Sequence, residues 1–153
     1  MSKTPPDSPP LRLLATDADD LTVIAAALQD AVGRIGDIVY EPFGRRLTLS
    51  VNRFRWELDD AAALRVRSAV QFGGVLNVSG RRLRQDAPDA VVSVLTVGFT
   101  PGEPPGGEVT FVFSGGGELK LTVECIDAAM TDLDESWPAR RAPKHDETWH
   151  DET

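Results

Sequence analysis

Arg53-Phe54-Arg55-Trp56 interleaves two guanidinium groups with two aromatic rings at the period of a β-strand, and Arg65 and Arg67 repeat the arginine spacing further on. A guanidinium fork binds a carboxylate or phosphate through parallel hydrogen bonds, and a neighbouring indole can stack on a base, a ring or another arginine. Arg53, Arg55, Arg65, Arg67 and Trp56 are therefore the candidate residues for binding an anion or an acidic partner; if they make a site, Arg53 and Arg55 with Arg65 or Arg67 of a nearby strand are expected to form one basic patch. The plainer reading makes Phe54 and Trp56 core and the arginines a wet face that keeps the strand soluble.

Other chemistries find less support. Asp30, Asp37, Glu41 and Glu57 lie around a predicted helix end and the first hairpin, where two could converge as an acid and base pair, although nothing in their spacing requires it. Nucleophilic catalysis needs a base within reach of the nucleophile, and both histidines, His145 and His150, lie near the C-terminus. Cys125 falls on the apolar parity of its strand and reads as a small buried hydrophobe. The two histidines are five apart rather than four, and aspartate follows the first, so the zincin pattern fails. Gly115-Gly116-Gly117 lies between strands rather than before a helix, which excludes a phosphate loop. No catalytic residue, metal ligand set or cofactor is expected.

Composition sets the frame. The 153 residues are 41% apolar and 26% charged, the profile of one globular domain with an ordinary core. No apolar run approaches the roughly 20 residues of a membrane helix. Met1 to Pro10 holds four prolines and no apolar signal segment. With the single cysteine, these features make the cytoplasm the expected compartment. The net charge of −8 is uneven: residues 34–84 hold ten arginines against five acids, while residues 85–153 hold fourteen acids against four bases. The acidic whole disfavours nucleic acid, and the basic middle leaves room for a local anion site.

The elements that must position these residues follow from periodicity. Leu11 to Ala15 is a short strand. Thr16 then opens a helix with capping-box spacing to Asp19, with Leu21, Ile24, Leu28 and Val32 on one face and Gly33 as a natural stop. Asp37 to Glu41 is a strand ending at the turn Glu41-Pro42-Phe43-Gly44. In the next strand Leu47, Leu49 and Val51 occupy odd positions but Phe54 and Trp56 even ones. Side chains alternate with period two, so this change of phase predicts a β-bulge or bend near Asn52, with Arg53 and Arg55 facing away from Phe54 and Trp56. Leu58 to Ala63 is a linker or one helical turn.

Leu64, Val66, Val70 and Phe72 form a half-buried strand whose register argues against a hairpin at Gly73-Gly74 and for a strand that flexes there. Ala90 to Phe99 is apolar on both parities and should be a central strand covered on both sides. Thr100 to Gly107 is an exposed loop. Val109, Phe111 and Phe113 face Leu119 and Leu121 if the loop is the three residues Ser114-Gly115-Gly116, with Phe113 opposite Gly117. Ile126 to Leu133 fits either a strand or a short helix. The tail, with its repeated His-Asp-Glu-Thr, is expected to be disordered.

Leu28-Gln29-Asp30-Ala31-Val32, Gly36-Asp37, Arg45-Arg46-Leu47, Val51 to Glu57, Asp86 to Ala90, Phe99 through Glu103, and Leu121 to Ile126 leading to Thr131-Asp132-Leu133 resemble a bacterial family of uncharacterised proteins, domain-of-unknown-function family 2948. The resemblance covers about Leu11 to Trp137. It implies a small cytoplasmic bacterial protein and assigns no residue a role; the His-Asp-Glu-Thr repeat departs from the family pattern.

The expected architecture is α+β: one N-terminal helix on a strongly bent, mainly antiparallel sheet of about seven or eight strands, a sheet that could curl into a partial barrel. Residues 1–10 and 138–153 are expected to be disordered around a single domain at 11–137. The expected function is a non-enzymatic binding or regulatory module for an acidic protein partner or small anion, or a homodimer. An RNA-binding module is the alternative, and a carboxylate enzyme the third.

Overall fold

The structure is a computed structural model and describes residues 10–56, 64–133 and the backbone of 137–138. The expectations for the N-terminal segment, the Leu58 to Ala63 linker, Glu57 and the C-terminal tail lie outside the described residues.

β1 (Arg12–Ala15) leads into α1 (Ala18–Ala27). The cap falls one residue later than the capping-box spacing predicts: Asp17 Oδ1 accepts from Asp20 N–H at 2.8 Å, and Asp20 Oδ2 accepts from Thr16 N–H at 3.2 Å. Leu21, Ile24 and Leu28 form the buried face. The helix stops before Gly33, at Ala27, because the chain is then captured by a strand: Asp30 N–H donates to Val94 O and Val94 N–H to Ala31 O, both at 2.8 Å. Val32 and Gly33 accordingly open β2 (Val32–Glu41) rather than end the helix.

β3 (Arg46–Phe54), β4 (Leu64–Phe72), β5 (Val75–Arg81), β6 (Val91–Pro101), β7 (Gly107–Phe113), β8 (Glu118–Val123) and β9 (Ala128–Asp132) complete a mainly antiparallel sheet of nine strands in the order β1-β9-β4-β3-β2-β6-β7-β8-β5. Trp137–Pro138 forms a two-residue pairing with β4. The sheet is not closed, and its helical part is small. Ile126 to Leu133 resolves as the strand β9 rather than a helix.

Two connections bend this sheet onto itself. Gly73-Gly74, with Gly74 at φ 64°, carries the chain from β4 to β5, which pairs with β8 and not with β4, so there is no hairpin. At the other junction β6 pairs with β2 through Val91–Ser93 and then with β7. Phe72 of β4 consequently meets Phe111 of β7 edge-on at 5.8 Å between ring centroids, joining the two halves across one core. The β7–β8 turn has the three-residue form its pattern predicts, with Phe111 opposite Leu119 and Val109 opposite Leu121.

β6 differs from expectation. Its ladder to β7 jumps from Val94↔Phe113 to Thr96↔Val112, so Leu95 is an extra residue. Val92 and Val94 before the bulge and Val97 after it all face inward, while Val91 and Leu95 are 61% and 45% exposed. Apolar residues on both parities therefore mark a bulged strand with one wet face, not a strand covered on both sides.

Candidate functional site

Along β3 the inward parity runs Leu47, Leu49, Val51, Arg53 and on to Arg55 with no change of phase. The pairing with β4 is continuous from Leu47↔Phe72 to Phe54↔Arg65, so there is no bulge at Asn52. The irregularity lies in the partner strand: between Gly33↔Val51 and Ile38↔Leu49, β2 sets residues 34–37 against Ser50 alone.

Arg53 is fully buried. Its Nε donates to Asp132 Oδ1 and its Nη2 to Asp132 Oδ2, both at 3.0 Å, and Nη1 donates to Phe54 O at 2.9 Å. Ser68 Oγ donates to Asp132 Oδ1 at 2.6 Å, and Leu11 N–H donates to Oδ2 at 2.8 Å. Arg53, Ser68 and Asp132 each sit on the apolar parity of their own strands, and together they tie β3, β4 and β9 to the residue preceding β1. The bidentate fork and the two further donors satisfy the carboxylate, the condition under which a buried ion pair is tolerated. Arg55, 4% exposed, also lies inside, and its N–H donates to Leu64 O at 3.1 Å.

The opposite face carries Phe54, Trp56, Arg65 and Arg67. The Arg65 guanidinium lies 4.4 Å from the Phe54 ring centroid, and the Phe54 and Trp56 rings are 5.1 Å apart. Trp56 is 43% exposed, yet its Nε1–H donates to Gln29 O at 3.1 Å, which holds the indole in place. Arg65 Nε is buried without a hydrogen-bond partner, and burial lowers the Arg65 pKa from its ordinary value. Arg67 is 3.6 Å from the Asp37 carboxylate and 3.3 Å from Asn52 Oδ1.

The arginines thus divide between the two faces instead of forming the single patch expected of them. Arg53 and Arg55 do face away from Phe54 and Trp56, but it is the arginines that are inside, where Ser68 and Asp132 supply Arg53 with partners. Arg65, Arg67 and Trp56 come together outside. The signal that pointed inward was the phase of Ser68 with Val66 and Val70 and of Asp132 with Ala128 and Met130.

Of the carboxylates considered as an acid and base pair, the three that are described have separate surroundings. Asp37 is engaged by Arg67, Glu41 Oε1 accepts from Arg46, and Asp30 sits exposed at φ 64°. Cys125 is half-buried rather than buried. Among the described residues no group of three or more His, Cys, Asp or Glu is placed to hold a metal ion. No helix among them is long and apolar enough to cross a membrane.

Fold and site together define an open, mainly antiparallel β-sheet protein with one α-helix among the described residues and a buried ionic staple. The chain belongs to the family described as "Protein of unknown function (DUF2948)", whose model matches residues 11–145. No curated protein and no solved structure matches it.

Proposed function

We propose that this chain is a cytoplasmic, non-enzymatic binding module that takes an acidic protein segment on the outer face of β3 and β4, at Arg65, Trp56 and Arg67. The observation that carries this reading is Arg65: its Nε is buried without a partner while its guanidinium is stacked on Phe54 beside a half-exposed, immobilised indole. An arginine stays charged at neutral pH even when burial lowers its pKa, so a carboxylate approaching this face meets a partly desolvated cation already held flat. Arg67, oriented by Asp37 and Asn52, flanks it. Arg53 and Arg55 have no part in this, because they lie in the interior.

The test is a titration with an oligoglutamate peptide, read from the Trp56 indole N–H resonance. Binding should weaken as salt is raised, and Arg65→Glu should reduce it at least about tenfold. Equal binding by Arg65→Glu would remove the reading. Tight, steeply salt-dependent binding of single-stranded RNA, with none of the peptide, would favour the RNA-binding alternative instead.

A further inference from the structure

β5 is an edge strand of the sheet, the pairing of β2 with β6 ends at Arg34, and a pocket of about 430 Å³ is lined by residues of both β5 and the outer half of β2. Its walls are the inward side chains of β2 (Ile38, Tyr40), β5 (Val78) and β8 (Leu119), and the segment after β5 contributes Leu83 and Gln85. Pockets of this size, largely apolar with a few polar groups, are the usual form of small-molecule sites, and the mouths of β-barrels are among their usual places.

The cover over this pocket is seated by glycines. A Cβ at Gly117 would fall 2.7 Å from Leu83 Cδ2, and one at Gly80 would fall 3.3 Å from Leu83 Cδ1 and 3.2 Å from Gln85 Nε2. A Cβ at Gly36 would lie 3.1 Å from Pro88. The segment from Arg82 to Ala90 can therefore lie close against the sheet at three points, and it is fastened at its far end by Gly36 N–H to Pro88 O at 2.8 Å and Ile35 N–H to Ala90 O at 2.9 Å. Beneath it, the Tyr40 hydroxyl donates to Val75 O at 3.0 Å, which leaves its oxygen lone pairs able to accept.

Charge along the covering segment is uneven. Arg82 and Arg84 alternate in sequence with the lining residues Leu83 and Gln85, are exposed, and make no ion pair among the described residues; Arg82 Nη1 lies 3.3 Å from where a Cβ on Gly116 would stand, next to the Gly117 that meets Leu83, while Asp86 and Asp89 come on the Pro88 side. Arg82 holds φ 57°, a left-handed conformation that an ordinary side chain rarely adopts.

We propose that this pocket binds a small apolar carboxylic acid, its hydrocarbon part between Ile38, Tyr40, Val78 and Leu119 and its carboxylate at the Leu83–Gln85 end beside Arg82 and Arg84. This site is separate from the Arg65 face and does not depend on the acidic-segment reading.

Octanoate is a suitable probe and 1-octanol its neutral counterpart, followed by amide chemical shifts of the full chain. Octanoate should perturb Ile38, Tyr40, Val78 and Leu119 with a single saturable site, and octanol should bind at least about tenfold more weakly, the effect of losing one charge-assisted contact. Arg82→Ser with Arg84→Ser should bring octanoate down to the octanol level, and Val78→Phe should abolish binding by filling the space. Ile38→Phe serves the same purpose should Val78→Phe fail to give a dispersed spectrum. The proposal is overturned if octanoate leaves these residues unshifted, if octanol binds as well as octanoate, or if a folded filling variant binds unchanged. Arg65→Glu should leave octanoate binding intact, so that the two sites fail or succeed separately.

Discussion

β3 and β6 lie on either side of β2, and each carries apolar residues on both parities. In β6 the chain inserts Leu95, and the inward set shifts from Val92 and Val94 to Val97. In β3 the ladder runs on unbroken, and the inward set shifts in chemistry instead, from Leu47, Leu49 and Val51 to Arg53 and Arg55. The difference lies in what each strand meets. β6 changes partners next to its bulge, from β2 to β7, and the cross-strand partners of its inward residues Val92, Val94 and Val97 are Gly33, Phe113 and Phe111. β3 stays paired with β4 throughout, and Ser68 and Asp132 stand where Arg53 arrives. Keeping eight consecutive cross-strand pairs and satisfying one guanidinium competes with breaking the ladder to bury Phe54 and Trp56. The aromatic pair is left outside, where Arg65 covers the Phe54 ring.

The sharpest way to break this comparison is to remove the partner that makes the β3 solution work. Asp132→Ala removes the bidentate carboxylate from the buried Arg53 fork, and we expect a loss of about 3–5 kcal/mol in urea unfolding. Replacing all three groups, as Arg53→Met with Ser68→Ala and Asp132→Leu, should recover stability to within about 1 kcal/mol of wild type or above it, because buried ion pairs are often matched by well-packed apolar side chains. Failure of the triple variant to recover would mean that the staple supplies more than charge compensation.

A smaller effect is expected of Arg53→Lys. Lysine keeps the charge but lacks the planar fork that reaches Asp132 Oδ1 and Oδ2 together with Phe54 O. The expected cost is about 1.5–3 kcal/mol, the range for hydrogen bonds to charged groups. A cost equal to that of Asp132→Ala would show that fork geometry, not net charge, is what holds β3 in phase.

How far each region was legible follows from the range of its determinants. The β7–β8 turn could be read to the residue, since Val109, Phe111 and Phe113 and Leu119 and Leu121 keep one parity and sit within a few residues of their partners. The apolar face of α1 and the absence of a hairpin at Gly73-Gly74 were equally local. The end of α1 was not, because the pairing of Asp30 and Ala31 with Val94 decides it. The candidate site was the least legible part: Arg53 points inward because of a carboxylate 79 residues later in the chain. Arg65 and Arg67 could be placed together with Trp56 only once Phe54 was known to face out. Within residues 34–37 of β2, Gly36 is the one local hint of the irregularity opposite Ser50.

β6 supplies the mildest and most specific check. Were this strand covered on both faces, a lysine at position 95 would bury an unpaired charge and cost several kcal/mol. Leu95 is instead the bulge residue and is 45% exposed, so Leu95→Lys should change stability by less than about 0.5 kcal/mol, as surface substitutions usually do. The same measurement on Val94→Lys, two residues into the inward set and 1% exposed, should unfold the protein or cost several kcal/mol. If the two substitutions were equally damaging, Leu95 would not be the extra residue, and β6 would have resolved its conflict without a bulge.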